Sequence, residues 1–415
     1  MLASENPFLT GSALEALSQW SHVLKTFQTR IGQHFSRSEA RNSAFAFLQA
    51  LLSPVERKNG WQMAEQVGHS NPYRFQHLLG RAQWDADALT AEVRQYVVEH
   101  LDTDETILAV DETGFIKQGE HSVGVQVQYC GLTGRLENCQ VGVFLAYVNE
   151  HGHTLIDRRL YLPQSWASDA GKRAKAGVPE PIKFATKPQL AKQMLQSAFE
   201  SGLRPAWVVA DEVYGSDGKF WWWLESEYQQ PYLLTVGSQH SVVIGYQEYR
   251  AKTLAQSLQP QQWHRLSCGY GTKGERIYDW AAIEVNCSKE HGFRRWLLFR
   301  RNLEKPDDPH SITYYQVYAS ANTMLEAMVS VAGTRWRIEE CFTVAKDQLG
   351  LSEYEVRSWC GWHRHMSLVM AAQAFLNVLR HTIEPMPVPQ KNFNDSQKTP
   401  SSMAAFKVAL GVLSH

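Results

Sequence analysis

Two short apolar runs in this chain, Ile107 to Val110 and Ala206 to Ala210, each end directly on a carboxylate doublet, Asp111-Glu112 and Asp211-Glu212. Runs of this length read as buried strands, so each aspartate stands where a strand leaves the core. A carboxylate in that setting costs on the order of several kcal/mol unless it is paired or binds a metal. Two strands that end alike suggest a shared divalent cation. Mg²⁺ takes oxygen ligands and keeps positions open for water and phosphate, which phosphoryl transfer requires. The competing reading is that each Asp caps the turn that follows it, which Asp does readily.

A third acid on a helix tips the balance toward the metal. In the segment Thr334-Arg335-Trp336-Arg337-Ile338-Glu339-Glu340-Cys341-Phe342, followed by Lys346, helical spacing puts Arg335, Glu339 and Lys346 on one face. They are stacked over about three turns. A cation, an acid and a second cation in line could bind a metal ion and the phosphates beside it. Without the two aspartates, an ordinary ion pair on a solvated helix would be the better account.

Around these residues the chain changes character several times. From Gly11 to Leu52 the apolar spacing predicts two helices, interrupted near Phe35 and stopped by Pro54. Gly60 to Val67 and Tyr73 to Leu79 are short helices separated by turn residues at Gly68 to Pro72, the shape of a helix-turn-helix DNA reader. Its second helix carries Arg74 and Gln76 as candidate DNA contacts, and a plain helical hairpin packed on the core fits the same pattern equally well.

A further helix, Ala86 to His100, precedes three strands in succession, Thr106 to Val110, Ser122 to Cys130 and Gln140 to Asn149. A helix at Lys187 to Ser201 and the strand ending at Asp211 follow. Three strands, a helix and a fourth strand is the chain order of an RNase H-like core. Beyond the strand Tyr232 to Val236, the residues to about Ser320 read as a β-rich insertion with strands at Arg276 to Val285, Trp296 to Arg301 and Tyr314 to Ala319. Helical spacing returns from Ala321, through Arg335 to Gly350 and a long apolar helix at Gly361 to Leu379. A Pro-rich polar linker, Glu384 to Ser402, and an amphipathic tail, Met403 to Leu413, close the sequence.

Composition narrows the class. A chain of 415 residues, 44% apolar, is expected to form two or three structural units around sizeable cores. No stretch approaches the roughly 18 to 20 apolar residues of a bilayer span, and a soluble, intracellular protein without membrane partners is expected. Six cysteines without a C-x-x-C pair suggest neither a zinc site nor a disulfide scaffold. With 41 basic and 42 acidic residues, the net charge of −1 gives no global footprint for nucleic acid, so any such affinity must come from local patches. Gly269 to Gly274 fits G-x-G-x-x-G, but strand-like sequence follows it, so it reads as a turn. His363 and His365, two apart on a helix, point in different directions and make a poor metal pair.

With these residues in view, the chain resembles the transposases of bacterial insertion sequences, in particular the family numbered seven-oh-one, related to the larger family numbered four. The likeness runs from Phe35-Ser36-Arg37-Ser38-Glu39 and Val55 to Trp61, through Asp111 to Phe115, Glu137 to Phe144 and Ala210 to Gly215, to Trp362-His363-Arg364-His365. It implies an α/β fold: an RNase H-like catalytic core, a β-rich insertion domain and an α-helical N-terminal DNA-binding region. The divisions expected are residues 1–102 for the DNA-binding region (helix-turn-helix at 60–80), 103–236 and 321–382 for the core, 237–320 for the insertion, and 383–415 for linker and tail.

The resemblance further implies that Asp111, Asp211 and Glu339 are catalytic and hold two Mg²⁺ ions, for which Mn²⁺ can substitute. Arg335 and Lys346 would hold phosphates beside the cut, and Trp336 offers a stacking platform for an unpaired base. Ala332 stands where the related family carries a tyrosine. The expected partners are double-stranded DNA, as terminal inverted repeats and target, and a second copy of the chain in a dimer on DNA. The setting implied is the bacterial cytoplasm at the nucleoid. The alternative expectation is a catalytically inactive or host-adopted relative that binds DNA without cutting it.

Overall fold

The computed structural model describes residues 11–271, 274–287, 292–304, 308 and 311–382. The expected linker and tail, and the middle of the Gly269 to Gly274 motif, lie outside the described residues.

Five helices open the chain: α1 (Gly11–Gly32), α2 (Ser38–Leu52), α3 (Gly60–Gln66), α4 (Tyr73–Gly80) and α5 (Ala86–Leu101). Local chemistry sets their starts. The Asn59 side chain accepts from the N–H groups of Trp61 and Gln62, and Asp85 does the same for Asp87 and Ala88. Strands β1 (Ile107–Ile116), β2 (Gln126–Cys130), β3 (Arg135–Val148) and β4 (His153–Leu160) follow, then helices α6 (Gln164–Ala167), α7 (Ala170–Ala176) and α8 (Lys187–Glu200). Next come β5 (Trp207–Ala210), α9 (Glu212–Gly215), α10 (Gly218–Tyr228) and β6 (Tyr232–Val236).

In the sheet, β4 pairs antiparallel with β3, β3 antiparallel with β1, and β1, β5 and β6 run parallel. The spatial order β4-β3-β1-β5-β6 is that of an RNase H-like core. The sequence placed the second and third core strands at Ser122 to Cys130 and Gln140 to Asn149; the core strands are instead β3 and β4, and β2 is a short addition on the far end of β3. The strand that sequence reasoning missed, His153-Thr154-Leu155-Ile156-Asp157-Arg158-Arg159-Leu160, carries three charges in a row. It is buried all the same, because Asp157 meets Arg159 at 2.7 Å and Arg158 meets Asp87 at 2.6 Å. Paired charges can go where single ones cannot.

The connection after β6 adds the hairpin β7 (Ser241–Ile244) and β8 (Gln247–Arg250), helix α11 (Ala251–Ser257), and strands β9 (His264–Gly271), β10 (Gly274–Val285), β11 (Phe293–Arg301) and β12 (Ile312–Ser320). Strand β12 pairs antiparallel with β6, so β12-β11-β10-β9 continues the core sheet rather than forming a separate one. Its own apolar cluster, with Val242, Leu254, Leu297 and Phe299, lies apart from the main core.

The chain then forms α12 (Leu325–Thr334), α13 (Arg337–Leu349) and α14 (Trp359–Thr382). The helix expected from Arg335 thus starts at Arg337, with Arg335-Trp336 forming the turn from α12. Every residue from Gly361 to Leu379 is buried, which makes α14 the axis of the molecule. Several of its polar side chains bind carbonyls: Arg364 donates to Trp84 O at 2.8 Å and to Leu78 O and Leu79 O, while His365 pairs with Gly350 O at 3.0 Å. His363 pairs with Trp359 O. Through Arg364, the end of α4 is fixed to the axis on which the sheet packs.

Candidate active site

Parallel pairing of β1 with β5, Val110 opposite Ala210, brings Asp111 and Asp211 side by side; β5 ends there as expected, but β1 does not, since it runs on through Asp111 to Ile116 in its pairing with β3. Asp111, Glu112 and Asp211 each offer a carboxylate oxygen, all within 4.8 Å of one another. Among the described residues this is the one such group of acids, cysteines or histidines. The capping alternative for Asp211 also holds, since its side chain accepts from Val213 N–H at 2.9 Å at the start of α9. Capping and clustering coexist because the cap uses one oxygen.

Successive residues of a strand face opposite sides of the sheet, and this divides the site. Asp111 and Thr113 face α12 and α13: Arg335 lies 3.7 Å from Asp111, and Lys346 donates to Thr113 Oγ1 at 2.6 Å. Glu112 faces α8 and α9, where Lys187 Nζ reaches one oxygen at 2.6 Å and the Tyr214 hydroxyl donates to the other at 2.6 Å.

Crowded carboxylates hold protons. Burial, then the charges of Asp211 and Glu112, push Asp111 up to about 7 against the opposing pull of Arg335. Burial and Glu112 push Asp211 up to about 6. A cluster of hard oxygen donors that resists ionising for want of positive charge fits a divalent cation.

Glu339 is not in the cluster. It is 57% exposed and binds Arg335 at 3.1 Å, so Arg335 bridges it to Asp111. Glu112, by contrast, went unread as a site residue, although its place in the Asp-Glu doublet was visible. Trp336 has its ring between the guanidinium groups of Arg276 and Arg337, at 5.0 and 4.8 Å. Arg74 and Gln76 are exposed on α4, beside Tyr73 at 68% exposure.

A family model described as DDE superfamily endonuclease matches residues 30–275, which include both aspartates. The chain belongs to the DDE superfamily of endonucleases. Membership carries a divalent-metal requirement, and the Asp111, Glu112 and Asp211 oxygens are where this endonuclease can meet it. The expected resemblance to insertion-sequence enzymes is borne out: a protein of Microchaete diplosiphon described as a probable transposase for insertion sequence element IS701 is 25% identical over 315 residues, 75% of this chain and 76% of the relative. A cryo-EM structure of the piggyBac transposase synaptic complex with hairpin DNA aligns with 97% of this endonuclease and 79% of that chain, at 10% identity and a TM-score of 0.49. Among the described residues, no helix is long and apolar enough to cross a membrane.

Proposed function

We propose that this DDE endonuclease is a DNA transposase, cleaving the ends of a mobile element and joining them to target DNA by phosphodiester hydrolysis and transesterification. The observation that carries it is the meeting of Asp111, within β1, and Asp211, at the end of its parallel neighbour β5, within carboxylate reach of one cation. In this reading Asp111, Asp211 and Glu339 hold two Mg²⁺ ions, with Mn²⁺ able to substitute. Bound Mg²⁺ supplies Lewis acidity at the phosphate oxygens and lowers the pKa of a bound water or 3′-hydroxyl.

The chain's own residues position the DNA. Arg335 holds Asp111 and Glu339 in one ion-paired row, and an arriving phosphate competes for its guanidinium, freeing Glu339 to turn inward. Lys346, anchored on Thr113, stands two residues along the same face of β1 and holds a neighbouring phosphate. Trp336 stacks an unpaired base where a guanidinium now lies. Arg74 and Gln76 on α4 contact double-stranded terminal repeats, with residues 1–102 as the DNA-binding region, 237–320 as the insertion and the remainder of 103–382 as the catalytic core. Two ends require two active sites, hence a dimer on DNA at the bacterial nucleoid.

The test is a cleavage assay on terminal-repeat DNA in Mg²⁺, paired with a gel shift. Asp111→Ala and Glu339→Ala are each expected to slow cleavage by roughly a thousandfold or more while leaving the shift unchanged. Cleavage that persists in the Asp111 variant would sink the assignment. A wild-type chain that shifts DNA but never nicks it, even in Mn²⁺, supports the inactive relative instead.

A further inference from the structure

Glu112 has no role in the three-acid scheme, yet it is more firmly held than any member of it. Tyr214, wholly buried, donates to one of its oxygens at 2.6 Å, and burial keeps that phenol a donor by raising its pKa well above the ordinary value. Lys187 takes the other oxygen at 2.6 Å. The ammonium is itself well placed, because Lys187 opens α8 behind a capping box in which Thr186 and Gln189 bind each other's backbone. One protein cation therefore stands on each face of the cluster, Arg335 beside Asp111 and Lys187 beside Glu112, and the three carboxylates outnumber them.

We propose that Glu112 is a ligand of the cation site and that Lys187 is its resident counter-cation, leaving Glu112 as a divalent ion enters. This rests on the assignment of Asp111 and Asp211 as metal-holding residues. In the DNA-free protein the first ion is held by Asp111, Glu112 and Asp211; Glu339, exposed and engaged by Arg335, is not needed for it. Lys187 thus stabilises the empty site and opposes the loaded one.

The test is Mn²⁺ binding to the metal-free full-length chain, without DNA, read from the paramagnetic resonance signal of free Mn²⁺. Glu112→Gln is expected to weaken binding about tenfold or more, as loss of a metal-orienting carboxylate does. Lys187→Met, which removes a competing charge, is expected to tighten it roughly threefold. Glu339→Gln should stay within about twofold of the wild type, there being no contact between Glu339 and the cluster to lose. Urea unfolding of each variant separates lost affinity from lost fold, and tightening by Lys187→Met cannot come from misfolding. Wild-type affinity in Glu112→Gln, or weakening in Lys187→Met, overturns the proposal. If Asp111→Asn abolishes binding while Glu112→Gln does not, Glu112 alone is misassigned. If Asp111→Asn also binds as the wild type does, the aspartate site itself falls, and the proposal with it.

Discussion

Asp111 is the residue on which burial and function conflict most sharply. Its carboxyl, pushed up to about 7 from an ordinary 3.8, keeps a proton in the folded chain that the unfolded chain has already released. The folded state therefore binds more protons between pH 4 and 7, and this group's contribution to stability falls as pH rises through that window. Buried histidines act in the opposite sense: burial pushes His153 and His365 down to about 4, so their contribution rises with pH. The difference between wild type and Asp111→Asn isolates the aspartate. In urea unfolding of metal-free protein, the variant is expected to be more stable by roughly 2 kcal/mol at pH 8 and nearly equal at pH 5. A difference that does not change with pH would contradict the raised carboxyl. At this scale the aspartates were legible, because a strand that ends on an acid twice is a pattern. Glu112 was not, because neighbouring residues of a strand face opposite ways, and its approach to Asp111 and Asp211 shows only once β5 ends beside them.

Elements were legible where apolar spacing was regular and hidden where charge was internally paired. Helices α1 to α5, α8 and α14 fell where the spacing put them, within a few residues at each end. Strand β4 did not, since the Asp157, Arg158 and Arg159 run reads as solvated until its partners Asp87 and Arg94 arrive from another helix. The bend between α12 and α13 was invisible for a similar reason. It is set by distant contacts: Arg276 donates to Gly333 O at 2.7 Å, and a Cβ on Gly333 would run into the Cys268 carbonyl oxygen. A comparable long-range anchor is Arg364, whose replacement by Met keeps the aliphatic stem but removes the guanidinium that donates to the carbonyls of Trp84 and Leu79 and shares that of Leu78 with the Trp84 indole. That change is expected to cost about 2 to 3 kcal/mol in urea unfolding. It should also speed hydrogen exchange in α4 more than in β1. Equal effects on both elements would mean that Arg364 does not tie α4 to the core.

Over the whole molecule, a net charge of −1 conceals a division of labour. Acidic groups converge on the middle of β1 beside the end of β5, while cations lie around them, Arg335 and Lys346 on one face of the sheet and Lys187 on the other. Helix α14 runs through the centre and packs against the N-terminal helices α1, α2, α4 and α5 on one side and strand β4 and helix α13 on the other. Everything proposed for this endonuclease depends on Asp111 and Asp211 sharing a cation. Crystals of the full-length chain grown with Mn²⁺ and measured for anomalous scattering test that directly. The expected result is a peak about 2.2 Å from one carboxylate oxygen of Asp111 and one of Asp211. A map with Mn²⁺ peaks elsewhere and none between these two side chains would contradict it.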